Sequence, residues 1–252
     1  MESSALLRRL GDGVALWDLE VLESSPLTAS MQRIHCTAPG LGDMHFLPGQ
    51  DLMLAVPSAG SETFRRRYTI RRVTPVEPTI DLDIVLHGDG PGARWASTAQ
   101  PGDHIEAIGP RGKITVEGEA DWHLFIGDDS AIPASLAMAE SLGISQRGTV
   151  ILEVDGPEDR HEDIECAGDV SVEWLYRAGA DPASADHLLE HVRGVDLPPG
   201  KGHAYLAGEL KVVAALRTLL LQRGLEAEQV SSKPYWRAGV ANAAHGEPER
   251  EE

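Results

Sequence analysis

Membrane-spanning and export signals are both missing from this chain. No apolar run approaches the ~20 residues needed to cross a bilayer, and the opening MESSALLRRLGDG has no apolar segment of the signal-peptide kind. A cytoplasmic protein without membrane insertion is expected. Cysteine is nearly absent. Cys36 and Cys166 lie far apart, leave no pair at metal-ligand spacing, and read as small buried apolar side chains. Aromatic residues make up only 5% of the chain, so each Trp and Tyr is worth locating. Positive charge is also short: 22 Lys and Arg stand against 40 Asp and Glu, a formal net charge of −18. Such a surface repels phosphate backbones and anionic lipid, which argues against a nucleic-acid partner. No Ser-His-Asp or paired-carboxylate arrangement appears. His187 and His191 share a helical face in HLLEH, but Leu188 stands where a metalloprotease would place its Glu, so no metal site is expected.

What is present divides into two halves with different periods. The 252 residues suffice for one large domain or two of ordinary size. The first half is punctuated by APG (38–40), LPGQ (47–50), AQPGD (99–103) and GPRG (109–112). Between these turns lie MQRIHCTA, DLMLAVP, RRYTIRRV, TIDLDIVLHG and DHIEAIGP, each of strand length. Short strands at regular spacing predict an antiparallel β-barrel over 1–118. From residue 119 the pattern changes. WHLFIGD, TVILEV, VSVEWLYR and HAYLAGE read as strands, alternating with helices over AIPASLAMAESLG, ASADHLLEHVRG and LKVVAALRTLLLQRG. This order predicts a parallel α/β domain over 119–240. Residues 241–252 form an acidic tail expected to be disordered, and the eight carboxylates within 153–169 read as solvated surface.

Against the acidic background, FRRRYTIRR (64–72) gathers five basic residues in eight positions. A strand here sends Arg67 and Thr69 one way and Tyr68 the other, beside Arg66. An Arg fork suits phosphate, a Tyr ring lies well beside a planar heterocycle, and a Thr hydroxyl donates to its edge. A flavin nucleotide fits that set; a charged edge strand that resists aggregation would look similar. Residues 81–97, DLDIVLHGDGPGARWAS, run from a strand through a three-glycine turn, flanked by His87 and Trp95, into a helix start. Glycines admit a pyrophosphate, and N–H groups at a helix N-terminus bind anions. IGDDSAIPASLAMA (126–139) leaves a parallel strand through Gly-Asp, YLAGE (205–209) ends a second one in Gly-Glu, and KPYWRAG (233–239) gathers Lys, Arg and two aromatics.

In this order and spacing, RRYTIR, VLHGDGPGARWA, GPRG, GDDSAIPA and AGE…YWRAG resemble the siderophore-interacting protein family, FAD-dependent ferric-siderophore reductases related to ferredoxin–NADP reductases. The resemblance covers nearly the whole chain. It implies an antiparallel FAD-binding barrel followed by an NAD(P)-binding α/β domain. It also implies that Arg67, Tyr68 and Thr69 contact the flavin, with Arg67 on the phosphates and Thr69 at the reactive ring edge. His87 and the turn Gly90, Gly92, Ala93, Arg94, Trp95 and Ala96 would hold the pyrophosphate and adenosine. Gly127, Asp128, Ser130, Gly208 and Glu209 would border the nicotinamide, and Lys233 and Arg237 would attract an anionic ferric siderophore.

The implied activity passes electrons from NADH or NADPH through FAD to siderophore-bound Fe(III), with a ferredoxin as an alternative donor and a monomer as the expected state. A non-catalytic flavin- or siderophore-binding protein and a general flavin reductase are the alternatives. The chain departs from the family pattern at Asp129 and Ser130, where Glu and Thr are usual, at Pro234 in place of Gly, and at Tyr205 in place of Trp. EVDGPED puts acid where a 2′-phosphate reader would be basic, which favours NADH.

Overall fold

A computed structural model describes residues 8–11, 13–58, 62–74, 76–86, 88, 90–161 and 164–240. His87 and the 241–252 tail lie outside the described residues. The chain forms two compact units: Met1–Val116 with Leu136–Ser141 and His161–Ile164, and Glu117–Ser135 with Leu142–Arg160 and Glu165–Glu252.

The first unit holds β1 (Arg8–Gly11), β2 (Val14–Pro26), β3 (Met31–Thr37), β4 (Asp51–Pro57), β5 (Thr63–Thr69), β6 (Arg72–Thr74), β7 (Thr79–Val85), helix α1 (Pro91–Thr98) and β8 (His104–Arg111). Among the described residues these eight strands make one antiparallel sheet in the order β5-β4-β8-β2-β3-β7-β6, with β1 beside β2. Its two ends, β5 and β6, are joined by only Ile70 and Arg71, so the sheet curls back on itself as a barrel does. The long strand β2 is absent from the sequence-based reading, although Ala15, Trp17, Leu19 and Val21 alternate into the core. RRYTIRRV, expected as one strand, breaks into β5 and β6 where Ile70 and Arg71 both turn into the interior. Trp95 and Ala96 of α1 join the same core as Leu52, Leu54, Leu82 and Ile84, so α1 seals the barrel.

The second unit holds β9 (Trp122–Asp128), α2 (Ile132–Glu140), β10 (Arg147–Val154), β11 (Asp169–Tyr176), α3 (Asp186–Gly194), β12 (Gly202–Glu209), α4 (Leu210–Gln222) and β13 (Val230–Trp236). Its five strands are parallel in the order β11-β10-β9-β12-β13. Every residue of β9 is buried, as expected for a central parallel strand. Trp122, Leu124 and Ile126 pack with Leu188 and Val192 of α3 and with Val213, Leu216 and Leu220 of α4. β13 was not among the expected strands, and it contains Pro234. It pairs with β12 alone, and an edge strand tolerates proline. Among the described residues no helix is long and apolar enough to cross a membrane.

Candidate functional site

In the first unit the two strongest motifs meet. Phe64, Arg66 and Tyr68 share one face of β5, and Phe64 and Tyr68 pack against the core. A Cβ at Gly92 would overlap the Tyr68 hydroxyl, and Arg66 lies beside both. Gly92 therefore lets the first turn of α1 pass directly under the phenol. The Tyr68 hydroxyl has no hydrogen-bond partner among the described residues, and burial pushes its pKa up to about 12, which keeps it a donor at neutral pH. Gly90, extended at φ −65° and ψ 150°, leads into α1 without a side-chain cap, and Pro91 occupies the first turn. The N–H groups of Gly92 and Ala93 are thus left without intrahelical acceptors. The Arg66 guanidinium lies 5.4 Å from the Phe64 ring and donates to the Arg65 carbonyl at 2.8 Å.

The other face of β5 does different work. Arg67 Nε donates to Asp51 Oδ1 at 2.8 Å, both side chains being largely buried. Asp51 stands opposite Thr69 in the β4–β5 ladder, so Arg67 and Asp51 form a diagonal cross-strand pair. Thr69 is buried at the strand end, and Arg71 is buried with Nε 3.9 Å from Asp83.

In the second unit the strand order reverses between β9 and β12, the switch point beside which ligands of open α/β sheets bind. Gly127 and Ala207 face each other there, and a Cβ at Gly127 would overlap the Ala207 carbonyl. Asp128 caps the turn after β9. It accepts from Ser130 N and Ser130 Oγ at Oδ1, and from Glu209 N at 2.9 Å and Trp236 Nε1 at 2.8 Å at Oδ2. Burial and the neighbouring Asp129 push its pKa up to about 6 despite those four donors. Gly208 takes φ +132°, and a Cβ there would come within 2.5 Å of Asp128 Oδ2. Glu209, fully buried, caps α4 by accepting from Lys211 N and Val212 N, and accepts from Ala238 N at 3.2 Å.

Comparison with known proteins follows this division. A model of the siderophore-interacting FAD-binding domain matches residues 48–114, and a model of the siderophore-interacting protein matches residues 120–239. The ferric vibriobactin reductase ViuB of Vibrio cholerae is 36% identical over 187 residues, covering 72% of this chain and 68% of that protein. The chain belongs to the siderophore-interacting protein family. The NADPH-dependent ferric-chelate reductase of Escherichia coli is 25% identical over 251 residues, 92% of this chain and 96% of that one. The crystal structure of a siderophore utilization protein from T. fusca superposes with TM-score 0.83 at 28% identity, covering 92% of this chain and 97% of that one.

The residues present fit the cofactor of the family's FAD-binding domain. Among the described residues, a phenol without a hydrogen-bond partner, an arginine without a paired carboxylate, and the uncapped N–H end of α1 converge at Gly92. Within this family member, several of the expected residues have protein partners. Arg67, expected on the phosphates, is held by Asp51; the arginine that shares the Tyr68 face is Arg66, because strand side chains alternate with period two. Sequence reading left Arg66 unassigned for want of knowing which face α1 covers. Trp95 and Ala96 put their side chains into the core, and Arg94 is exposed. Ser130 is turned onto Asp128, and Asp128 and Glu209 are engaged by protein donors. Lys233 Nζ sits 5.8 Å from the Tyr235 ring, while Arg237 is exposed just past β13. His187 and His191 do not converge; they reach Glu153 and Glu173 respectively.

Proposed function

We propose that this protein is a flavin-dependent ferric-siderophore reductase that takes electrons from a nicotinamide nucleotide and works in the cytoplasm. The unit spanning the barrel, 1–118 by sequence, is the FAD-binding domain, and 119–240 is the NAD(P)-binding domain. The observation that carries the reading is the meeting of Tyr68, Gly92 and Arg66 at the start of α1, within the region matched by the FAD-binding family model.

Arg66 and the N–H groups of the α1 first turn would hold the pyrophosphate, one by charge and fork geometry and the other by backbone dipoles. The Tyr68 hydroxyl would donate to the same group or its linker, and its ring would lie along the flavin. Thr69, at the strand end, would donate toward the ring edge. Bound FAD supplies a two-electron acceptor that can return electrons singly; the chain supplies binding, orientation and electrostatics. In the second unit Gly127 and Gly208 let the ends of β9 and β12 pack closely at the switch point, beside which the nicotinamide would bind. Lys233 and Arg237 add positive charge that draws an anionic ferric siderophore to an otherwise acidic protein. Reduction of the substrate iron weakens its hold on hard oxygen ligands, and the metal is released.

Purified protein should be yellow, should bleach anaerobically with NADH or NADPH, and should recover colour when a ferric hydroxamate or catecholate is added. Absence of flavin would sink the reading at its base. Flavin that no nicotinamide nucleotide reduces would leave a binding protein, or one served by a ferredoxin.

A further inference from the structure

At the carboxyl ends of β9, β10 and β11 a buried charge cluster surrounds one arginine. Arg177 follows β11 directly, and its backbone N–H donates to Val154 O at 2.9 Å. Its guanidinium reaches across two strands: Nη2 donates to Asp129 Oδ2 at 3.1 Å, and Nη1 donates to the Glu153 carbonyl at 3.1 Å, 3.9 Å from Glu153 Oε2. The Arg177 and Glu153 side chains are 7% and 3% exposed, so the pair is screened little by solvent. His187, from the first turn of α3, places Nδ1 3.1 Å from Glu153 Oε1. Asp155 adds a third carboxylate, fixed by Gly179 N at 3.0 Å. Among the described residues, Arg177 is the one Lys or Arg paired with these acids.

Nothing in the flavin reading uses this cluster, yet it lies along the sheet edge where a dinucleotide would extend. β11 stands two strands from β9, roughly 10 Å across the sheet, within the span of a dinucleotide anchored at the switch point. A 2′-phosphate is read by an arginine fork that is free to meet it. Here each terminal nitrogen of the fork gives one hydrogen bond to a protein oxygen, Nε is buried without a partner among the described residues, and the surrounding carboxylates repel a further dianion. An unmodified ribose, by contrast, offers hydroxyl donors to such carboxylates.

We infer that Asp129 and the Glu153 main chain, by holding Arg177 among the Glu153 and Asp155 carboxylates, set the donor preference of this protein, so that a nicotinamide nucleotide without a 2′-phosphate is bound over one that carries it. The inference rests on the nicotinamide-binding reading of the second unit. It separates this chain from the relative named as an NADPH-dependent ferric-chelate reductase.

The test compares adenosine 5′-phosphate with adenosine 2′,5′-bisphosphate, which differ only in the 2′-phosphate. Binding to the flavin-loaded protein is measured by calorimetry, without turnover. The wild type should bind the 5′-phosphate at least about tenfold more tightly. In the Asp129→Asn, Glu153→Gln double variant the ratio should fall to about threefold or less, or invert, as the Asp129 end of the Arg177 fork is weakened and two repelling carboxylates are neutralised. Equal affinities in the wild type, or a preference for the 2′-phosphate, would overturn the inference while leaving nucleotide binding intact. That comparison needs no variant to fold. An unchanged ratio in a folded double variant, or in Asp129→Asn alone, would also overturn the role given to these residues. Binding of neither nucleotide would overturn the preference together with the nicotinamide reading, an outcome distinct from the others.

Discussion

The indole of Trp236 donates to Asp128 Oδ2 at 2.8 Å, tying the last residue of the edge strand β13 to the end of the central strand β9. Through the same oxygen Asp128 also holds Glu209 N, and Glu209 in turn holds Ala238 N. Two buried carboxylates thus fix the segment that carries Arg237.

Replacing Asp128 by Asn should cost about 2–4 kcal/mol, because an amide turns one acceptor into a donor facing donors in a buried site. Trp236→Phe removes one hydrogen bond to a charged group and should cost about 1.5–3 kcal/mol. Urea unfolding of the two variants should show lower midpoints at constant slope. If Asp128→Asn proved the milder of the two, the central place given to Asp128 would be wrong.

Arg66 and Arg67 are neighbours in sequence but should fail differently. Arg66→Ala removes the phosphate ligand proposed above, so FAD affinity should drop by about 10- to 100-fold with little change in stability of the flavin-free protein. Arg67→Ala leaves Asp51 buried without this partner, 2.8 Å away in the wild type, and should destabilise the fold by about 3 kcal/mol. Flavin titration and urea unfolding on both variants separate the roles. Equal loss of flavin affinity in the two would return Arg67 to the phosphate site.

Gly92→Ala would set a methyl group where the Tyr68 hydroxyl now lies. The ring must move or α1 must shift, at a cost of about 1–3 kcal/mol typical of overpacking, and the phosphate turn should lose its geometry. Flavin affinity should fall at least about tenfold. Pairing the change with Tyr68→Phe, which removes the clashing oxygen, should restore stability but not full flavin affinity.

These contrasts mark how far the sequence could be read. Period two over 64–69 showed that Arg66 and Arg67 point apart, and the glycine turn showed where a phosphate could approach. What joins them is the contact of Tyr68 with Gly92, more than twenty positions away in sequence and made only when α1 plugs the barrel. The Gly-Asp and Gly-Glu strand ends were legible because parallel strands at a switch point end in small residues. That Asp128 and Glu209 serve as caps depends on which N–H groups surround them, which no local pattern encodes. Arg177 lay in plain sight at the end of VSVEWLYR, but its partners Asp129 and Glu153 come from the turn after β9 and from β10. Pro234 concealed β13, since a proline reads as a break until the strand is known to lie at the edge.

The pH dependence of stability sets Asp128 against two buried histidines. Asp128 has a folded pKa of about 6, raised from 3.8, so its contribution to stability is fully present below 3.8 and is lost as pH rises through about 6. His123 and His203, stacked around Tyr205, have pKa values lowered from 6.5 chiefly by burial. Their contribution is present above 6.5 and is lost as pH falls through their lower folded values. The wild type should therefore exceed Asp128→Asn in stability by more at pH 4.5 than at pH 7.5, values chosen on either side of the Asp128 midpoint of about 6. His203→Asn should flatten the loss seen on the acid side. Urea midpoints across that range measure both. A gap between wild type and Asp128→Asn that widens as pH rises would mean that the four donors outweigh burial and hold the carboxylate ionised.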